Sequence, residues 1–277
     1  EVELAEPNSF DIGGDFSESA MCNGGTGYID LYLSTVTGAE PYTLSYTGGD
    51  FDWNQYDGGF EIAFYGPATP GIYELTISDN NGCQFNQTII IEEPELLEIS
   101  ATAMDYTGFG ISCNGASDGS IAVDVTGGWD WNETEIYWES DNGSSGNEND
   151  LSGLEPGTYT ITAFQESWGM SMSICEATTI IEITEPAEMT ISEVHSDYTG
   201  FGVSCNGASD GFINITVDGG TGNYTYDWSN GSETEDLTDV SAGLYSVIVT
   251  DENNCSVTIE VELAEPNSFD IGGDFSE

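Results

Sequence analysis

The segments GFINITVD (211–218), GLYSVIVT (243–250) and SVTIEVEL (256–263) each alternate apolar and polar residues. Ile213, Ile215 and Val217 share one phase, as do Tyr245, Val247 and Val249, and then Val257, Ile259, Val261 and Leu263. A period of two places successive side chains on opposite faces, which is the pattern of a half-buried strand. The same alternation occurs upstream in Ile121/Val123/Val125 and Tyr159/Ile161/Ala163, and again in Ile29/Leu31/Leu33 and Tyr73/Leu75/Ile77. Glycine turns such as Gly127-Gly128, Gly219-Gly220 and Asn230-Gly231 separate the runs. No stretch carries a convincing helical period.

Repetition sets the organisation. DYTGFGISCNGASDG (105–119) returns as DYTGFGVSCNGASDG (197–211), differing only at Ile111/Val203, and a shorter version starts at Met21-Cys22-Asn23-Gly24. An acid-Pro pair ends each copy at Glu93-Pro94, Glu185-Pro186 and Glu265-Pro266, with Glu6-Pro7 before the first. These marks divide the chain into the end of a preceding unit (1–7), three units (8–94, 95–186 and 187–266) and the start of a following one (267–277). Residues 1–18 also return without change as residues 260–277, a period of 259. The chain therefore reads as one period, with overlap, of a longer array.

Units of this length with about seven short strands read as an all-β tandem array of three immunoglobulin- or fibronectin-like β-sandwiches. Trp138 and Trp228, with Tyr46 in their place in the first unit, sit where such folds bury a large aromatic. Gly71/Tyr73, Gly157/Tyr159 and Gly243/Tyr245 repeat the turn into a tyrosine-bearing penultimate strand.

There are 51 Asp and Glu, one His and no Lys or Arg, a formal net charge of -51. Nucleic-acid backbones and anionic lipid are bound through Lys and Arg, so both partners are excluded. With no run of 18 apolar residues, no helical membrane insertion is expected. Hydrophobic content of 38% is too high for a disordered acidic tail. The chain is a folded polyanion.

Each unit has two cysteines, and the repeat favours closure within units: Cys22 with Cys83, Cys113 with Cys175, and Cys205 with Cys255. Such links imply an oxidising, extracellular compartment. Zinc would need clustered Cys and His, and His195 is the only imidazole; its counterpart in the second unit is Ala103. No catalytic residue is expected, because a nucleophile–base dyad is hard to assemble from this composition. Calcium is the one cofactor considered. Its candidate ligands are Asp79 and Asp251 at one repeat position and Asp118 and Asp210 at another, all of them also natural turn formers. Divalent cations would then also bridge neighbouring filaments. Trp129, Trp131 and Trp168, peculiar to the second unit, are candidates for stacking on surface glycans or for contact with a neighbouring unit.

The string Cys205-Asn206-Gly207-Ala208-Ser209-Asp210-Gly211, Gly219-Gly220-Thr221-Gly222, Tyr224, Trp228-Ser229-Asn230-Gly231, Ala242-Gly243-Leu244-Tyr245, Val249-Thr250-Asp251 and Cys255 resembles the SprB repeat of very large Bacteroidota surface proteins. The third unit matches over nearly its whole length and the second over most of it. The first departs, with Gly25-Thr26-Gly27 where the others carry Ala-Ser-Asp-Gly. The resemblance implies a cell-surface filament or adhesin stalk exported by type IX secretion, in gliding motility or attachment, and it transfers no catalytic residues. The alternative function is a glycan- or cation-binding module presented by the array. The partners expected are adjacent copies in the same chain.

Overall fold

The computed structural model describes residues 14–33, 40–57, 62–130, 133–166 and 174–269. The first unit holds β1 (Gly14–Glu18), β2 (Gly27–Leu33), β3 (Thr43–Thr47), β4 (Asn54–Asp57), β5 (Ile62–Ala68), β6 (Gly71–Ser78) and β7 (Gln84–Ile91). The second holds β8 (Glu95–Ala103), β9 (Gly119–Gly128), β10 (Glu135–Ser140), β11 (Ser145–Gly146), β12 (Asp150–Leu154), β13 (Gly157–Glu166) and β14 (Ile174–Ile183). The third holds β15 (Thr190–His195), β16 (Gly211–Asp218), β17 (Thr225–Trp228), β18 (Leu237–Val240), β19 (Gly243–Thr250) and β20 (Ser256–Leu263).

The sheet orders are those of an immunoglobulin-like sandwich. In the first unit, β1-β2-β5-β4 faces β3-β6-β7, which is the ABED against CFG arrangement of constant-type domains. The second unit repeats it as β8-β9-β12 against β11-β10-β13-β14, and the third as β15-β16-β18 against β17-β19-β20. All the pairings are antiparallel, and the period-two residues of both sheets meet in the core. Ile213 and Ile215 from one sheet pack with Trp228, Val247, Val249 and Val261 from the other. In the second unit, Ile121 and Leu151 meet Trp138, Tyr159 and Ile161.

The recurrent tyrosine closes each sandwich in the same way. Tyr73 donates its hydroxyl to the Thr69 carbonyl at 2.6 Å, Tyr159 to Glu155 at 2.7 Å and Tyr245 to Ser241 at 2.9 Å. This is the corner that ties the start of the penultimate strand to the backbone four residues upstream. Trp138 and Trp228 are buried as expected, opposite Ile161 and Val247. Tyr46 is different. It lies at the rim with its hydroxyl on the Phe51 carbonyl at 3.1 Å, and Phe51 fills the interior instead. A phenol keeps a wet hydroxyl more cheaply at a rim than inside, whereas Phe51 has no polar atom to satisfy.

The expected disulfides are corrected by the fold. Cys22 joins Cys175 and Cys113 joins Cys255, while Cys83 and Cys205 remain thiols. None of the pairs Cys22–Cys83, Cys113–Cys175 and Cys205–Cys255 forms. The reason is the length of the last strand. Cys255 immediately precedes β20, whereas the segment leading to Cys205 lies at its far end, where the Gly202 amide donates to the Ala264 carbonyl. Eight strand residues span about 26 Å, far beyond the roughly 7 Å between Cα atoms that a disulfide can bridge. The two cysteines of a unit therefore sit at opposite poles.

Tyr159 is 1% exposed, and its hydroxyl is the partner of a backbone carbonyl. Tyr159→Phe should cost about 0.5–1.5 kcal/mol, the net worth of one hydrogen bond, because it removes the donor while keeping the ring. Urea unfolding with an unchanged m-value would check it; a loss below about 0.5 kcal/mol would mean that the corner does not hold the strand.

Candidate functional site: the junctions between units

The pole at which the chain leaves a unit is built by the Cys-Asn-Gly turn. In the second unit the Gly115 amide donates to Glu185 Oε2 at 2.9 Å, and Asn114 Nδ2 donates to the Pro186 carbonyl at 3.0 Å. The first unit repeats this with Gly24 on Glu93 and Asn23 on Pro94, and the third with Gly207 on Glu265 and Asn206 on Pro266. The three glycines have φ between 71° and 77°, the left-handed region that a side chain disfavours. Two turns earlier in the chain, Gly110 and Gly202 press on the last strand so closely that a Cβ would lie 2.9 Å from Ile183 or 2.7 Å from Leu263. The acid-Pro pair is thus clasped to the turn that carries the cysteine. Glu6 lies outside the described residues.

The entering pole is built by the loop before the last strand. In the third unit Asp251 Oδ1 accepts the Asn253 and Cys255 amides at 3.0 and 2.8 Å, and Oδ2 accepts the amide and hydroxyl of Thr221. In the first unit Asp79 Oδ1 accepts the Asn81 and Cys83 amides at 3.0 and 2.8 Å. Both carboxylates are buried. They act as caps of an Asx-type loop.

Asp118 and Asp210 stay at the leaving pole, where each accepts the backbone amide of Ser112 or Ser204 at 3.1 Å. Donors on Ser112, the hydroxyl first and then the amide, hold the Asp118 carboxyl below its ordinary range, and Ser204 does the same for Asp210. The four aspartates are therefore split between two poles. Among the described residues no three His, Cys, Asp or Glu side chains are placed to hold a metal ion.

Two junctions result. At the first, Cys22–Cys175 spans 5.4 Å between Cα atoms, and Met21, Leu97 and Cys175 form a buried cluster with Val125, Trp129 and Ala177 around it. The Trp129 indole donates to the Ala20 carbonyl at 3.0 Å, across the junction. Gln165, 2% exposed, holds Trp129 in that pose: its Oε1 accepts the Trp129 amide at 3.0 Å, and its Nε2 reaches the Trp129 carbonyl and Thr134 Oγ1. Trp129 thus contacts the neighbouring unit, while Trp131 and Trp168 lie outside the described residues.

At the second junction, Cys113–Cys255 spans 5.7 Å between Cα atoms. Asn253 reaches across it, donating from Nδ2 to the Tyr106 and Ser112 carbonyls at 3.2 and 3.1 Å and accepting from Thr107 Oγ1 at 2.6 Å. His195 takes no part; at the end of β15 its Nδ1 lies 2.9 Å from Glu193 Oε2.

Gln165 and Asn253 were not singled out from the sequence. Gln165 carried a signal, because it sits in the core-facing phase of Tyr159, Ile161 and Ala163. Asn253 carried one too, in the recurrence of Asp-x-Asn-x-Cys at 79–83 and 251–255.

Residues 111–129 and 203–233 match the family described as the SprB repeat. Those two segments, one in the second unit and one in the third, carry the SprB repeat. They are repeats of cell-surface, adhesin-related proteins, and two disulfides fit an extracellular location. No curated protein matches the sequence. Among solved structures, the full ectodomain (Ig1–Ig3) of mouse nectin-like molecule 4 is similar at 14% identity with a TM-score of 0.26. The similarity covers 62% of this chain and 64% of that one, so the chain spans less than two thirds of the ectodomain.

Because hydrogen bonds from Ser112 hold the folded Asp118 carboxyl below the ordinary aspartate range, it stabilises the turn fully above the unfolded-state pKa and loses this effect as the pH falls through the lowered folded-state value. The Ser112 amide proton shift should follow this transition on acidification. In Asp118→Asn it should stay flat over the same range, and a parallel titration there would refute the assignment.

Proposed function

We propose that this SprB-repeat segment is a structural length of an extracellular surface filament or adhesin stalk, exported by type IX secretion and serving attachment or gliding. The observation that carries this reading is that both disulfides join consecutive units. A link inside a sandwich stabilises that sandwich alone, whereas a link between poles resists bending and separation of neighbours. Uniform negative charge supports the same role, since like-charged filaments repel within about a Debye length, roughly 8 Å at physiological salt. The work done is mechanical, and each further copy adds reach and, with weak loop contacts, avidity.

Two measurements test the stalk. Small-angle scattering in monovalent salt should give a radius of gyration well above the roughly 19 Å of a single 277-residue globule, and a value near that figure would contradict an end-to-end rod. In cells, removing whole 259-residue periods should shorten surface filaments in proportion, seen by electron microscopy, and weaken attachment gradually. Abrupt loss of attachment from His195→Ala alone would instead point to a local active group.

A further inference from the structure

The two unpaired cysteines are not equivalent to isolated thiols, because each sits in a loop whose twin is crosslinked elsewhere in this chain. Cys83 ends the loop 79–83, the counterpart of 251–255. In both, the aspartate amide donates to the cysteine carbonyl (3.0 and 2.9 Å) and the residue before the cysteine donates to the aspartate carbonyl (3.0 and 3.1 Å). That residue is left-handed in both, Gly82 at φ 84° and Asn254 at φ 68°. Cys205 belongs to the loop 197–211, identical to 105–119 except for Val203. Thr199 and Thr107 share a left-handed backbone at φ 58° and 52°.

The groups that grip across the second junction are present at both open ends. Asn81 stands where Asn253 stands but is exposed, with no side-chain partner among the described residues. Opposite it would be Tyr198, Thr199 and Ser204. Tyr198, Ser204 and Cys205 are exposed, whereas their twins Tyr106, Ser112 and Cys113 are half-buried by the neighbouring unit. Without a partner the Thr199 hydroxyl turns back onto the Tyr198 carbonyl at 2.7 Å, the acceptor whose twin receives Asn253. The loops also match by type. The distinct Cys22 turn meets the distinct Cys175 strand, which leaves an Asp-x-Asn-x-Cys loop and a DYTGFG loop, the two kinds already seen joined at Cys113–Cys255.

We propose that Cys205 of one copy of this chain crosslinks to Cys83 of the next, forming a third junction of the Cys113–Cys255 kind and making the crosslinks continuous along the array. The bond forms by thiol–disulfide exchange with a disulfide oxidant. A Cys205 or Cys83 thiolate opens the oxidant's S–S bond to a mixed disulfide, and the other cysteine displaces the remaining oxidant sulfur. One protein S–S bond forms, and the oxidant leaves as two thiols carrying the two electrons and both protons. The inference rests on the array reading, but it can be tested apart from any attachment phenotype.

The test is a tandem chain in which residues 1–259 are followed by residues 1–277, joined through the repeated EVELAEPNSFDIGGDFSE. Folded in a glutathione redox buffer and alkylated unreduced under denaturing conditions, the single chain should show two reactive thiols and the tandem also two. Peptide mapping should recover Cys205 of the first copy bound to Cys83 of the second, with Cys22–Cys175 and Cys113–Cys255 in each copy reporting correct folding. Four reactive thiols in the tandem, or Cys83–Cys83, Cys205–Cys205 or a link within one copy, would overturn the proposal. Asn81→Ala in the second copy should slow closure about tenfold, the scale of one or two lost hydrogen bonds; an unchanged rate would overturn a junction of the Cys113–Cys255 kind.

Discussion

A chain with no Lys or Arg has no ion pair with which to hold two acidic domains together. Everything at the junctions follows from that constraint. Surfaces of like charge repel, and the only imidazole sits beside Glu193, away from both junctions. What remains is covalent and neutral: a disulfide, a small apolar cluster around Trp129, and amide hydrogen bonds from Asn253. Closing a loop of more than 100 residues costs the unfolded chain roughly 4.7 kcal/mol of entropy in the chain-entropy model, so each link also restrains the unfolded ensemble strongly.

The crosslinks act on rigid mounts. Cys113 sits in a turn whose next residues grip Glu185 and Pro186, and Cys175 lies within β14 itself, paired to Gln165. A path of covalent and hydrogen bonds leads from Cys22 into β14, along that strand to the clasped Glu185-Pro186, and across from Cys113 to Cys255 at the foot of β20. The last strands are coupled end to end by sulfur, in parallel with the peptide linkers.

The acidic residues divide between two kinds of work. Glu93, Glu185 and Glu265 clasp the leaving segments, and Asp79 and Asp251 cap the entering loops from buried positions. These recur because the architecture requires them. Most of the other acids, such as Glu176 and Glu182 on β14, face solvent and vary in place, giving charge without fixed geometry.

The sequence by itself determined the strands, the sandwich and its corners. Alternation in runs such as 211–217 and 256–263 specifies which side chains enter the core, and the Gly-x-Tyr and mid-strand Trp positions are local marks of this fold. It also marked both halves of every junction, as a Cys-Asn-Gly turn and a second cysteine just before the last strand or, for Cys175, at its start. Which cysteine meets which was decided only in three dimensions. Pairing within a unit and pairing with the next unit have the same period, so repetition cannot tell them apart, and the entropy of a longer loop differs by only a fraction of a kcal/mol per doubling. About eight residues of the last strand separate the two cysteines of one unit by about 26 Å, and the next unit's pole brings its cysteine to within 5.4–5.7 Å at the Cα atoms.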